Sequence, residues 1–155
     1  MDMDFIRTEA QTRFSDFSAD GQLHFSKCLM YFEKARFAVS RDAGLDEILK
    51  ACYPGADIQF VVVKTDIHYL EPIDVTFDRD GANALVVETR LCEPIISKLT
   101  FRQKLVEKGS GHALIDGVVD VALLNPKEGM IGLLSAECRQ CLMDYLASHD
   151  GIREL

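Results

Sequence analysis

The hydrophobic pattern splits the chain into a helical first third and a strand-rich remainder. Between Ser26 and Arg41 the apolar residues Cys28, Leu29, Tyr31, Phe32, Ala35, Phe37, Ala38 and Val39 cover more than half of a helical circumference. Such a pattern predicts a long helix that other structure wraps nearly all round. Gly44 follows as a C-cap. Leu45, Ile48 and Leu49 predict a short second helix over Leu45 to Cys52, broken by Tyr53-Pro54-Gly55. Ahead of the long helix, residues 1–10 read as a loose lead-in and Gln11 to Phe17 as a first strand, ending in a turn at Gly21.

From Ile58 the period changes from helical to two-residue alternation. Ile58 to Leu70 predicts a long strand with Val61, Val62 and Val63 at its centre, interrupted by Glu71-Pro72. Asp78-Arg79-Asp80-Gly81 is a tight-turn signal, and Ala84 to Cys92 predicts the next strand. Over Ser97 to Val106, Leu99, Phe101 and Leu105 alternate with Lys98, Thr100, Arg102 and Lys104, a half-buried strand with a basic outer face. After the turn Lys108-Gly109-Ser110-Gly111, residues Ala113 to Leu123 alternate again, with His112, Asp116 and Asp120 on the polar side. Asn125-Pro126 ends that strand, and Leu133 to Ala147 predicts a C-terminal helix. Four strands joined by tight turns predict an antiparallel meander, whose apolar face can curl around the single central helix. The class is α+β, in one domain over 1–155, with a core of about 10–126 and the extra helix at about 133–147.

Composition narrows the function. The net charge of -8 disfavours nucleic acid, because neutralising phosphates needs a basic face. Five scattered cysteines beside an ample core argue for reduced thiols and a cytoplasmic setting, and no apolar run approaches the ~20 residues of a membrane span. The acidic start Met1-Asp2-Met3-Asp4 does not read as a signal peptide. No phosphate-cradling loop and no Gly-x-Ser-x-Gly elbow is present. Cys138-x-x-Cys141 lacks the second ligand pair that zinc needs, so no metal is expected, and both thiols are expected to pack on the sheet.

Three stretches carry a family resemblance. One is the glycine turn and helix Gly21-x-Leu-His-Phe-x-x-x-Leu-x-Tyr-Phe-Glu-x-Ala-Arg36. Another is Ile67-His68-Tyr69-Leu70-Glu71-Pro72, and the last is the order of the remaining strands, ending at Val118 to Leu123. Over residues 10–126 the chain resembles the hot-dog acyl thioesterases of the 4-hydroxybenzoyl-CoA and acyl-CoA type. The resemblance implies a sheet wrapped around a long central helix, and a homodimer or homotetramer with sites between subunits. It also implies an acyl-CoA or acyl-carrier-protein substrate. No cofactor is implied beyond the CoA or phosphopantetheine that the substrate carries. Members of the family usually have an aspartate where this chain has Ser18. Thioesterases of enediyne-type polyketide pathways also lack it; they carry asparagine there and rely on an arginine at the position of Arg36, although their helix tyrosine corresponds here to Cys28.

Thioester hydrolysis needs a polarised carbonyl and an attacking water or carboxylate. Backbone amides of Phe25 to Lys27, at the helix N-terminus, suit the first task. Asp20 suits the second, then Glu33, with Ser18 orienting the water or attacking directly. Each has a plainer alternative. Asp20-Gly21 is also what a turn uses, and Glu33 with Arg36 makes an ordinary i,i+3 pair. For substrate contact the candidates are His24, Phe25, Leu29 and Phe32 along the helix flank and Tyr69 at the rim. Lys98 and Arg102, with Lys104, would meet CoA phosphates or an acidic carrier protein. Two rivals stand beside the hydrolase. An enoyl-thioester hydratase of this fold would need aspartate and histidine five apart, whereas Asp20 and His24 are four apart. A non-catalytic thioester- or lipid-binding protein is the reading that Ser18 favours.

Overall fold

The computed structural model describes residues 5–73, 84–93, 95–147 and 153–155; the expected turn at Asp78 to Gly81 and residues 1–4 lie outside them. Helix α1 runs over Phe25–Asp42 and α2 over Leu45–Cys52, as the apolar spacing predicts. Gly44 follows the C-cap of α1, Ala43, and is itself the N-cap of α2. The buried residues of α1 are Cys28, Tyr31, Phe32, Ala35, Arg36 and Val39. They fall at i, i+3, i+4, i+7, i+8 and i+11, a single stripe seated on the sheet. The chain therefore wraps α1 on one side only. Phe25, Leu29, Met30 and Phe37 remain exposed, which corrects the expectation of a helix covered nearly all round.

The strands are β1 (Ile6–Glu9), β2 (Gln59–Tyr69), β3 (Leu85–Cys92), β4 (Lys98–Glu107), β5 (Ala113–Asn125), β6 (Gly129–Met130) and β7 (Arg153–Glu154). The sheet order is β2-β5-β4-β3-β1-β7, with β6 paired to β5. All pairs are antiparallel except β1 with β7. Only β3, β4 and β5 form a meander. β2 lies on the far side of β5, so the four-strand meander is corrected to three strands plus a crossover.

The first strand also lies earlier than expected. Ile6–Glu9, within the supposed lead-in, pairs with β3, while Phe14–Asp16 is a 3-10 turn. Four residues are too few for a period to register, and the aromatic residues of 11–17 carry a strand propensity that context overrides. Phe14, at 83% exposure, stands in the open. The last helix, α3 (Ala136–Ala147), begins three residues later than Leu133 because the Ser135 hydroxyl accepts the Cys138 amide and caps its first turn (3.2 Å).

Thr89, Gln103, Gly117 and Ile67 face one another in register across β3, β4, β5 and β2. A Cβ on Gly117 would lie 3.1 Å from the Phe32 ring and 2.5 Å from the Ile67 Cδ1, so the missing side chain lets α1 settle onto the sheet. Gln103, fully buried beneath α1, donates to the Phe32 carbonyl (2.9 Å) and is 3.0 Å from the Thr89 hydroxyl. It accepts from the Arg36 guanidinium at 2.9 Å. β2 differs from the other long strands. It is an edge strand exposed on both faces, with Phe60, Val62 and Val63 in the open. Among the described residues no helix is long and apolar enough to cross a membrane.

Candidate active site

The segment leading into α1 is held by one buried carboxylate. Asp16 accepts the Arg13 amide (3.0 Å) and the Tyr31 hydroxyl (2.6 Å), and its oxygen lies 3.7 Å from the Lys27 ammonium. Burial pushes its pKa up, but the Tyr31 hydroxyl, the Arg13 amide and Lys27 together outweigh burial and hold it below the ordinary value. The Asp16 carbonyl accepts the His24 amide (2.9 Å), and Phe17 bridges to Leu23. Between them Ser18 to Gln22 forms a tight turn. The Gly21 amide donates to the Ser18 carbonyl (2.9 Å), and Gly21 has φ +83°, a conformation that favours glycine.

Two of the predicted residues meet in that turn. The Ser18 hydroxyl donates to the Asp20 carboxylate, which also accepts the Gln22 amide (3.3 Å). The Ser18 hydrogen bond, then the Gln22 amide, lowers the Asp20 pKa. Asp20 thus serves the turn, its carboxylate committed to local donors and less ready to take a proton.

His24 is the N-cap of α1 in an extended conformation and its side chain makes no capping bond. The Lys27 amide donates to the His24 carbonyl (3.0 Å), while the first amides of the helix, Phe25 and Ser26, have no intrahelical acceptor. The Tyr69 hydroxyl, from the end of β2, donates to the Phe25 carbonyl at 3.2 Å. Burial, then Cys28, raises its pKa, so it remains a neutral donor near pH 7. Beside this junction lies a cleft of about 300 Å³, walled by Leu23, Phe25, Tyr69, Glu71, Ile73 and Ile115. That volume is at the lower end for small-molecule sites. The Leu23 amide donates to the Ile73 carbonyl (2.7 Å) and fixes one wall. At the mouth Glu71 and His112 lie 2.7 Å apart, carboxylate to imidazole. Sequence reading missed this pair, because 41 positions separate its members and only the β2–β5 register brings them together.

The structure does not bring every candidate to this place. Phe32 is fully buried against Gly117, so it is core and not a flank for substrate. Arg36 lies eleven residues along α1 from Phe25, roughly 16 Å at 1.5 Å per residue, and its guanidinium is engaged with Gln103 under the helix. Burial lowers its pKa and Glu33 opposes that shift. Glu33 is exposed, on the same distant stretch of α1. The outer-face cations are also paired: Lys98 with Asp120 at 2.6 Å and Arg102 with Asp116 at 3.5 Å, while Lys104 sits 5.4 Å from the centre of the Phe5 ring. Two of the three cations of the stripe are thus ion-paired with β5. Cys28 lies beneath the helix start, where burial pushes its thiol up to about 12, too high for a nucleophile. Cys138 is buried in the core beside Cys52, its thiol also pushed up to about 12, with desolvation the largest cause.

No family model matches the chain, and no curated protein does. Solved structures do. A thioesterase from Thermus thermophilus, complexed with coenzyme A and Zn, is 19% identical, with a TM-score of 0.68 over 95% of this chain and 98% of that one. The 1,4-dihydroxy-2-naphthoyl-CoA thioesterase Slr0204 from Synechocystis is 15% identical, with a TM-score of 0.69 over 90% and 96%. The Staphylococcus aureus protein SAV2348, in complex with CoA, is 10% identical, with a TM-score of 0.74 over 98% and 90%. The chain has the hot-dog fold. Identities this low carry the fold alone, so what this hot-dog domain does rests on its own cleft.

Proposed function

We propose that this hot-dog domain hydrolyses an acyl thioester of CoA or of an acyl carrier protein. The observation that carries the reading is the apolar cleft at the uncapped start of α1. A thioester carbonyl placed there would meet the Phe25 and Ser26 amides, which lack intrahelical acceptors and are aligned with the helix dipole. Both favour the oxyanion that forms on attack. The acyl group would lie against Phe25, Leu29 and the cleft wall, with His24 and Tyr69 at the rim. Hydrolysis further needs a group to take the proton of the attacking water; Glu71 lines the cleft, and Asp20 lies in the adjoining turn, where it accepts the amide of the lining residue Gln22.

The working unit is a homodimer or a tetramer built from it. Phe25, Leu29 and Phe37 on α1 and Phe60, Val62 and Val63 on the unpaired edge of β2 are exposed. Phe37 and Phe60 wall one shared hollow, where helix and strand present a common surface. A second copy would cover that surface and satisfy the edge strand. The pantetheine would then enter between subunits.

The test is thiol release from acyl-CoAs of graded length, aromatic ones included, and from acyl carrier protein. Release from at least one class supports the reading. Hydration of a crotonyl-type thioester without thiol release would make the protein a hydratase instead. Ligand-dependent thermal stabilisation with neither reaction would make it a binder, the reading that the occupied Asp20 carboxylate favours.

A further inference from the structure

The pair at the mouth of the cleft lies outside the buried core. Glu71 and His112 are about half exposed, 50% and 55% at the side chain, yet their positions are fixed by backbone. The Glu71 amide donates to the Leu114 carbonyl (3.3 Å), which also accepts the Leu70 amide (2.9 Å). Pro72 restricts Glu71 to extended backbone. His112 closes the β4–β5 turn: its amide donates to the Ser110 hydroxyl (3.1 Å) and its carbonyl accepts the Glu107 amide (3.0 Å). A carboxylate oriented by an imidazole, on rigid strand ends and lining the apolar cleft, is built for proton transfer.

Resting on the thioester reading, we propose that Glu71 is the general base of this site and that His112 positions its carboxylate. As the oxygen of a water attacks the thioester carbon, its proton passes to Glu71 and the carbonyl electrons move onto the oxygen held by the Phe25 and Ser26 amides. The tetrahedral intermediate collapses, the carbon–sulfur bond breaks with its electron pair on sulfur, and Glu71 returns the proton to the thiolate. Water and thioester become acid and thiol, and the pair ends as it began. Asp20 cannot easily compete, because its carboxylate already accepts from Ser18 and Gln22.

The charged and titratable groups around the pair are Tyr69 on β2, Glu107 and Lys108 at the turn, and Arg7, whose guanidinium lies 3.9 Å from where a Gly111 Cβ would stand. Lys108 pairs with Glu9 (3.4 Å) and Arg7 lies 3.8 Å from Glu88, while His112 is the group in contact with Glu71.

The experiment is steady-state thiol release from the best acyl-CoA by wild type, Glu71→Gln, Glu71→Asp, His112→Gln and Asp20→Asn, with melting temperatures measured in parallel. The expected result is a loss in kcat of about 10²–10³-fold for Glu71→Gln at unchanged melting temperature. Glu71→Asp should recover part of it. His112→Gln should lose less, with the loss in kcat and KM unchanged. Turnover within twofold of wild type in Glu71→Gln, with loss in Asp20→Asn, would overturn the assignment while leaving the hydrolase reading intact. Wild type inactive on every thioester would overturn both.

Discussion

Replacing Gln103 by leucine tests what holds the helix on the sheet. The change keeps roughly the same volume and removes three hydrogen bonds: to the Phe32 carbonyl, to Thr89 and from Arg36. The first two are neutral bonds, worth about 1 kcal/mol each, and the bond from a charged donor is worth about 1.5–3 kcal/mol. The Phe32 carbonyl keeps its helical partner, but buried Arg36, 9% exposed as a residue, loses the acceptor of its guanidinium. Extra apolar burial by leucine offsets about 1 kcal/mol. The net loss is about 3 kcal/mol, or a fall in melting temperature of roughly 6–12 °C for a chain of this size. Arg36→Met with Gln103→Leu removes both partners, so the double variant should lose at least about 1.5 kcal/mol less than the sum of the singles, as contacting residues do. The assay is chemical denaturation of the four proteins of this cycle. Gln103→Leu within about 0.5 kcal/mol of wild type, or additive singles, would refute the reasoning.

Gly117→Ala should destabilise by about 1–3 kcal/mol, because Ile67 can swing away from the new Cβ but the Phe32 ring and the Asp66 carbonyl, at 3.1 and 3.3 Å, are held; thermal melting checks it. Asp16 has a folded pKa below its ordinary 3.8, so the stability it adds is present above that value and is lost as the pH falls through the folded pKa. Tyr31→Phe should flatten the fall of melting temperature between pH 5 and 2 if the Tyr31 bond is the main stabilising contact (the range follows from carboxylate titration, about pH 5 to 1). Ser18→Ala should bring the Asp20 pKa back up toward its ordinary value, measured by NMR titration; an unmoved pKa contradicts the Ser18 bond as its chief cause. Val62→Lys with Phe37→Asp should turn a dimer into a monomer by light scattering, whereas a monomeric wild type contradicts the docking of a second copy on β2 and α1.

The sequence pattern made the fold largely legible wherever an element is long. The presence of α1, the alternation of β4 and β5 and the short α2 follow from spacing, because burial leaves a period of 3.6 or 2, whereas the width of the buried face of α1 does not. β1 was hidden because four residues hold no period, and the place of β2 was hidden because strand order is set by long-range pairing. The helix entrance was also legible: Ser18, Asp20, His24, Phe25 and Tyr69 do gather around the start of α1. Residue type alone could not tell that Arg36 turns to Gln103, since a guanidinium at i+3 from Glu33 fits a surface pair as well. Nor could it tell that Lys98 and Arg102 face Asp120 and Asp116 on the next strand. Gln103 lies on the inward face of β4 with Leu99, Phe101 and Leu105, a polar residue on the apolar side of the alternation.

The central claim is that the cleft at the start of α1 takes the acyl thioester. It is tested most directly by filling that cleft from its rim. Leu70 lines it and is 54% exposed, so Leu70→Trp should leave the fold intact. Thiol release should be measured across acyl-CoAs of increasing length for both proteins. The account predicts turnover by wild type and, in the variant, a raised KM with the preferred acyl length displaced. Equal kinetics for the two proteins on every substrate would contradict it.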